Sequence, residues 1–267
     1  MPQIEPQLAE LKTLQGVHLW HAPFSSCSQR VRLTLAETNR AYESHLVDLM
    51  RGEHASADYQ KIHPKGLVPA LIEDGALFIE SVDIIQHLAR DHPSLMQNVD
   101  RQVLERADEA QLDLKLLTFE FLFRSAPKQP EDSAKSFQEA HQNEWLKQFY
   151  RDFAEGFSEE RIKEAVARTA AGFEYLDTLL RDDRQYFSGD TFTVADIAWL
   201  PNFHRFDLMS WPWHRTPRLM AWFERVSKRP SYQTALADWE KETALVEFAQ
   251  YTKLRQNNKT SIAHVGF

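Results

Sequence analysis

The sequence predicts two domains of different class: a small α/β domain over residues 1–93 and, after a short linker, an all-helical domain over residues 101–267. Three observations carry this. Before residue 95, short apolar runs alternate with helical patterns, the mark of strands interleaved with helices. Glu73-Asp74-Gly75 stands between two apolar runs, and Asp-Gly in that setting signals a hairpin. After residue 95 almost no strand signal remains.

Gly16 to Trp20 reads as a strand, Ser26 to Glu37 as a helix and Tyr42 to Asp48 as a second strand, a β-α-β order. In the helix Val31, Leu33, Leu35 and Ala36 are apolar, and Arg30 and Arg32 read as solvated. Pro69 to Ile72 and Ala76 to Ile79 form the hairpin, and Ser81 caps a helix carrying Val82, Ile84, Ile85 and Leu88. Arg101 to Phe123 reads as one long helix, and the prolines of SAPKQPED (125–132) break the pattern into a loop. Phe137, His141, Trp145, Phe149 and Phe153 recur every fourth residue, which predicts one helical face in a segment, 133–157, that lengthens the helical domain. Helices follow over 159–180, 193–207, 218–227 and 231–249, and the polar tail 253–267 is expected to be partly ordered at best. Thr193 and Asp196 form a capping box, with Phe192 and Ile197 as its hydrophobic staple.

Composition narrows the function. A formal charge of −8, with 39 acidic residues against 31 basic, argues against nucleic acid and membrane surfaces as partners. The single cysteine excludes an internal disulfide framework and a cysteine-clustered zinc site. Neither G-x-G-x-x-G nor G-x-x-x-x-G-K-[ST] occurs, so both standard phosphate-cradling loops are absent. No apolar run is long enough to span a membrane, and MPQIEPQLAEL lacks the basic and apolar regions of a secretory signal, so a cytoplasmic location is expected. His18 and His21 lie three apart on a strand and point to opposite faces, so no metal site is expected of them.

Chemistry concentrates in Ala22 to Arg32, APFSSCSQRVR, where the first strand hands over to the first helix. Unpaired N–H groups and partial positive charge at a helix N-terminus favour an anion, including a thiolate. Either Cys27 is a nucleophile or a serine hydroxyl steadies a thiolate that belongs to a bound molecule; a plain cap by Ser25 or Ser26 is the structural alternative. Val68-Pro69, after the turn Pro64-Lys65-Gly66, is a candidate cis bond that would turn the backbone groups of Val68 outward for a peptide-like ligand. Glu80-Ser81, at the next helix start, suits a ligand carboxylate or a simple cap.

In this order the motifs resemble those of the cytosolic glutathione transferases. Ser25-Ser26-Cys27-Ser28 with Arg30-Val31-Arg32 is similar to the zeta-class signature. Arg51-Gly52-Glu53-His54 up to His63-Pro64-Lys65-Gly66-Leu67-Val68-Pro69 is similar to theta-class and bacterial members. Glu80-Ser81 and the Thr193-Val194-Ala195-Asp196 box also fit the family pattern. The resemblance implies an α+β thioredoxin-like N-terminal domain that binds glutathione, followed by an all-α C-terminal domain that shapes a second-substrate pocket.

It implies site residues too. Ser25 aligns with the catalytic serine, with Ser26 and Cys27 in reserve. Val68, set by Pro69, would pair with the cysteinyl part of glutathione; Glu80 and Ser81 would hold its γ-glutamyl end; His54 or Lys65 would meet its glycyl carboxylate. Phe24, Phe119, Phe123, Phe203 and Phe206 would line the pocket of an apolar small-molecule electrophile. Asp108 would reach the glutathione of a second subunit in a homodimer, or in a heterodimer with a related chain. The implied activity is attack of the glutathione thiolate on an apolar, aromatic electrophile, with no metal; the alternatives are β-aryl ether cleavage as in bacterial lignin β-etherases, glutathione-assisted cis–trans isomerisation, or a non-catalytic binding protein on this fold.

Overall fold

The computed structural model describes residues 3–126, 131–181 and 184–266. It divides into two compact units, residues 1–88 with 128–155, and residues 89–127 with 156–267. The expected division at residue 93, with everything beyond 101 in the helical domain, therefore needs correction. The segment that forms residues 131–155, after the proline-rich loop, packs with the first unit.

In the first unit, β1 (Gln3–Ile4), β2 (Val17–His21), α1 (Ser26–Glu37), β3 (Glu43–Leu46), α2 (Ala57–Ile62), β4 (Ala70–Glu73), β5 (Ala76–Phe78) and α3 (Ser81–Ala89) follow in order. The sheet order is β1-β5-β4-β2-β3, with β2 and β3 parallel and the other pairs antiparallel. The β4–β5 turn places Asp74 and Gly75 at φ 48° and 79°, the two left-handed residues a tight hairpin needs. A Cβ on Gly75 would stand 2.3 Å from the Lys12 carbonyl oxygen, so this turn admits only glycine beneath the N-terminal segment. That segment contributes Ile4, Leu8, Leu11 and Leu14 to a core with Ala70, Ile72, Leu77 and Ile79.

Helix α1 departs from expectation. Arg30 and Arg32 are 0 % and 1 % exposed, not solvated. Val31, Leu33 and Leu35 wind round the helix at two-residue spacing, so burying all three leaves no polar face for an arginine to occupy.

The second unit holds α4 (Pro93–Met96) and α5 (Arg101–Phe121); the chain then returns to the first unit through α6 (Glu131–Ala140) and α7 (Glu144–Glu155). Residues 127–130 of the SAPKQPED loop lie outside the described residues. The expected single face from Phe137 to Phe153 is split. Asn143 starts α7 by accepting from the Leu146 N–H (3.1 Å), and its own N–H donates to His141 Nδ1 (3.0 Å), so the chain turns between two helices.

The second unit continues with α8 (Glu159–Leu179), α9 (Val194–Leu208), α10 (Pro217–Val226), α11 (Pro230–Ala235) and α12 (Glu242–Asn257). The helix expected over 231–249 is thus two, and the tail is ordered well past 253, with Ile262 fully buried. The Thr193–Asp196 capping box is present, and the buried Asp196 carboxylate also accepts from Phe187 N (3.1 Å) and Trp222 Nε1 (2.8 Å). Burial pushes its pKa up to about 6 despite these donors. Phe173, Phe203, Phe206, Trp211, Trp213 and Trp222 interlock in one ring cluster, which Trp222 links to Asp196. No helix among the described residues is long and apolar enough to cross a membrane.

Candidate active site

Strand register gathers three of the candidate segments. Trp20 near the end of β2 faces Ala70 at the start of β4, and Leu71 faces Phe78 at the end of β5. The β2–α1 turn, the Val68-Pro69 peptide before β4 and the Glu80-Ser81 pair after β5 therefore emerge at one end of the sheet. Phe24, Ser25, Ser26 and Cys27 are all half-buried there.

Ser25 is the N-cap of α1, its Oγ accepting from the Ser28 N–H at 3.2 Å. A hydroxyl has two lone pairs and one proton, so the cap leaves the Ser25 O–H able to donate. Ser28 Oγ accepts from Ala22 N (3.3 Å), and Arg32 donates to the carbonyls of Ala22 (3.2 Å) and Pro23 (2.9 Å) and to His21 Nδ1 (3.1 Å). His21 thus carries its proton on Nε2 and donates to Ser44 Oγ at 2.8 Å. Burial, reinforced by the Arg32 charge, lowers the His21 pKa to about 3 and keeps the ring neutral. One buried guanidinium therefore fixes the backbone that presents Ser25.

The Val68-Pro69 bond is cis. Tyr59 donates from its hydroxyl to the Leu67 carbonyl (2.6 Å), and burial raises its pKa, so it stays a donor. Lys65 N donates to His63 Nδ1 (3.2 Å); burial lowers the His63 pKa to about 4 and holds that nitrogen as an acceptor. Glu80 has φ +68°, a strained setting for a residue with a side chain, and pairs with Lys65 Nζ at 2.5 Å. Ser81 is buried and its Oγ accepts from Arg30 Nη1 at 3.1 Å, which ties the start of α3 to α1.

His54 does not meet the expectation of a direct ligand contact. It is 3 % exposed, covered by Phe137 and His141 at ring distances of 5.3 and 5.6 Å. His141 Nδ1 accepts from Asn143, so Nε2 carries the proton and donates to the Gly66 carbonyl at 3.1 Å. A Cβ on Gly66 would stand 2.6 Å from that nitrogen, and the φ of +59° also suits glycine. Gln60 completes the attachment: its Nε2 donates to the carbonyls of Ala55 (2.7 Å) and Ala140 (3.0 Å), and its Oε1 accepts from Gln142 N (3.1 Å). These bonds explain why α6 and α7 join the first unit, and they make His141 a support of the turn leading to Val68.

Of the remaining residues, Phe203 and Phe206 are 0 % and 1 % exposed and belong to the core of the helical unit, a correction to their expected place on a pocket wall. Phe119 and Phe123 are half-buried, 5.2 Å apart, and Phe123 lies 5.7 Å from Phe248. Asp108 is exposed on α5. Arg30, Arg32, Tyr59, Gln60 and His141 support the site without having been singled out for it. The apolar residues wrapped all round α1 were a legible sign for the arginines; nothing local marks His141, whose partner is 75 residues away.

Residues 19–98 match the family described as Glutathione S-transferase, N-terminal domain, and residues 159–225 that described as Glutathione S-transferase, C-terminal domain; together they take in more than half of the chain. Glutathione S-transferase Z2 of Arabidopsis thaliana is 27 % identical over 224 residues, covering 82 % of this chain and 90 % of that protein. A probable maleylacetoacetate isomerase of Caenorhabditis elegans is 28 % identical over 224 residues, covering 83 % and 93 %. Among solved structures, the beta-etherase LigF from Sphingobium sp. strain SYK-6 superposes with a TM-score of 0.71 at 20 % identity, covering 83 % of this chain and 98 % of that one. With both family descriptions matched over more than half of its length, the chain belongs to the glutathione S-transferases.

Proposed function

We propose that Ser25 activates the thiol of glutathione for attack on an apolar, aromatic electrophile. The observation that carries this is the Ser25 hydroxyl, which caps α1 through a lone pair while its proton remains for donation. Glutathione would supply the nucleophilic sulfur. Val68 would pair with it through its backbone, the Glu80 carboxylate would take its ammonium, and Ser81 with the α3 N-terminus would take its γ-glutamyl carboxylate. Lys65, beside Glu80, is the remaining candidate for the glycyl carboxylate.

The magnitudes agree. A free thiol titrates near about 8.5, and lowering that by two units needs about 2.7 kcal/mol. A hydroxyl donating to a thiolate supplies about 1.5–3 kcal/mol, and the helix terminus about 0.3–1 kcal/mol. Ser25→Ala should therefore reduce thiol consumption about 10- to 100-fold. Ultraviolet titration should show the bound thiol's pKa rising by one to two units. Cys27→Ala should retain activity. A thiol pKa unchanged in Ser25→Ala would refute the role of Ser25.

Two narrower readings concern the substrate. The half-buried Phe119 and Phe123, packed with Phe248, favour an aryl compound and hence β-aryl ether cleavage. The Ser25-Ser26-Cys27 turn and the similarity to a protein named as a maleylacetoacetate isomerase favour glutathione-assisted isomerisation. Assays over aryl ethers, aryl halides and maleylacetone separate them. A dimer in which Asp108 reaches the partner's glutathione completes the proposal; a monomer by sedimentation would remove that role.

A further inference from the structure

We propose that His18, Glu43 and His45 bind one divalent transition-metal ion of the zinc type, at the edge of the sheet formed by β2 and β3. His18 and His21, three apart on β2, point to opposite faces of the sheet and cannot share an ion. The partner of His18 comes from the neighbouring strand. Parallel pairing sets His18 against Glu43 and Trp20 against His45, so Glu43 and His45 lie on the face that His18 occupies.

The donor atoms converge. His18 Nδ1 lies 3.1 Å from His45 Nε2, Glu43 Oε2 is 3.5 Å from His18 Nδ1, and Glu43 Oε1 is 3.7 Å from His45 Nε2. Two nitrogens bound at about 2.05 Å to a tetrahedral ion stand about 3.3 Å apart, so the imidazole pair already has nearly the required spacing.

Both rings are held in orientation. The His18 Nε2–H donates to the Gln15 carbonyl (3.1 Å), which leaves Nδ1 as the lone-pair nitrogen facing His45. A ligating histidine commonly has this outer hydrogen bond. His45 lies flat on the Trp20 indole, with centroids 4.3 Å apart and planes 11° from parallel. Side-chain exposure rises from 9 % at His18 through 29 % at His45 to 65 % at Glu43, giving a path from solvent to the nitrogens.

Two imidazoles and one carboxylate, with a water in the fourth position, suit Zn²⁺ and its neighbours Co²⁺, Ni²⁺ and Cu²⁺. Ca²⁺ and Mg²⁺ prefer all-oxygen sets, and Cu⁺ prefers sulfur. On binding, the ion takes the place of the proton on His45 Nε2. That proton moves to His45 Nδ1, so both rings stay neutral and no net proton is released. The site rests on no assumption about the thiol chemistry.

The test uses the untagged full-length protein. Calorimetric titration with ZnCl₂ should show one equivalent bound, and Co²⁺ should give the visible absorption of a tetrahedral ion without a thiolate charge-transfer band. His45→Asn should weaken Zn²⁺ binding at least about tenfold. The exposed Glu43→Gln should weaken it less, and Cys27→Ala should leave it unchanged. Zn²⁺ should raise the melting midpoint of the unaltered protein and not that of His45→Asn. If His45→Asn does not fold, Glu43→Gln decides by the same measurements. Absence of one-equivalent binding, or binding that these substitutions leave intact, overturns the site and leaves the His18–His45 pair as a structural hydrogen bond.

Discussion

The two units bury different chemistry. The sheet-bearing unit encloses Arg30, Arg32, His21, His54, His63 and His141, each at 3 % exposure or less. Several of these bond to the backbone of the turns that carry the candidate site. The helical unit is centred on rings, with Phe173, Phe203, Phe206 and Trp222 each at 1 % exposure or less. Its deepest carboxylate, Asp196, fixes a helix start and the Trp222 indole. Buried hydrogen bonds are directional, and they hold a turn in one geometry. Ring packing is large in magnitude but tolerates change in shape. The first unit is therefore built to position atoms, and the second to hold together.

The largest expected effects set the units side by side. Phe203→Ala should cost about 3–5 kcal/mol, from lost transfer energy and the cavity left behind. Arg32→Met should cost a comparable 3–5 kcal/mol or so, because the Ala22 and Pro23 carbonyls lose a charged donor. Five of the seven tryptophans (Trp199, Trp211, Trp213, Trp222 and Trp239) lie in the helical unit, so urea unfolding followed by fluorescence reports chiefly on that unit. The distinction lies in turnover: the fraction of Arg32→Met still folded should have lost most of its thiol activity, and the folded fraction of Phe203→Ala should keep it. Equal loss of activity in both would erase the difference between the units.

A smaller effect has opposite signs in the two units. His63 titrates at about 4 in the native state, below an ordinary histidine at 6.5. Between those values the unfolded chain binds a proton that the native state refuses. This stability is complete above pH 6.5 and is lost as pH falls toward 4, by up to about 3 kcal/mol. Asp196 titrates at about 6 against an ordinary 3.8, so its contribution is present below pH 3.8 and lost as pH rises through 6. Hydrogen exchange at pH 7 and pH 5 should show the β2 and β4 amides losing more protection than those of α9. His63→Asn should shrink the gap, and parallel losses in both units would count against it. Smallest is Lys65→Met: the Lys65–Glu80 pair is exposed, so stability should change by less than about 1 kcal/mol, while KM for glutathione rises.

Legibility followed the range of the interaction. The hairpin was readable because Asp74 and Gly75 carry their own backbone preference, and the Thr193 box because its partners are three residues apart. Ser25 was readable as a cap for the same reason. The burial of Arg32 was half-legible, in apolar residues that leave α1 no solvated face. The covering of His54 by Phe137 and His141 was not, because it depends on a loop returning two helices to the first unit. The stripe from Phe137 to Phe153 had the right period, yet Asn143 broke it with a local cap stronger than the pattern.

By itself the sequence determined the class of each half, the order of the elements, the caps and the turn that presents Ser25, because local backbone preference and apolar periodicity act within a few residues. Only the tertiary structure decided that helices α6 and α7 belong with the sheet, that Phe203 and Phe206 are core, and that His18 meets His45 instead of His21. Those outcomes depend on strand register and on hydrogen bonds between residues tens of positions apart. No local spacing encodes them, and only the packed chain brings the partners within reach.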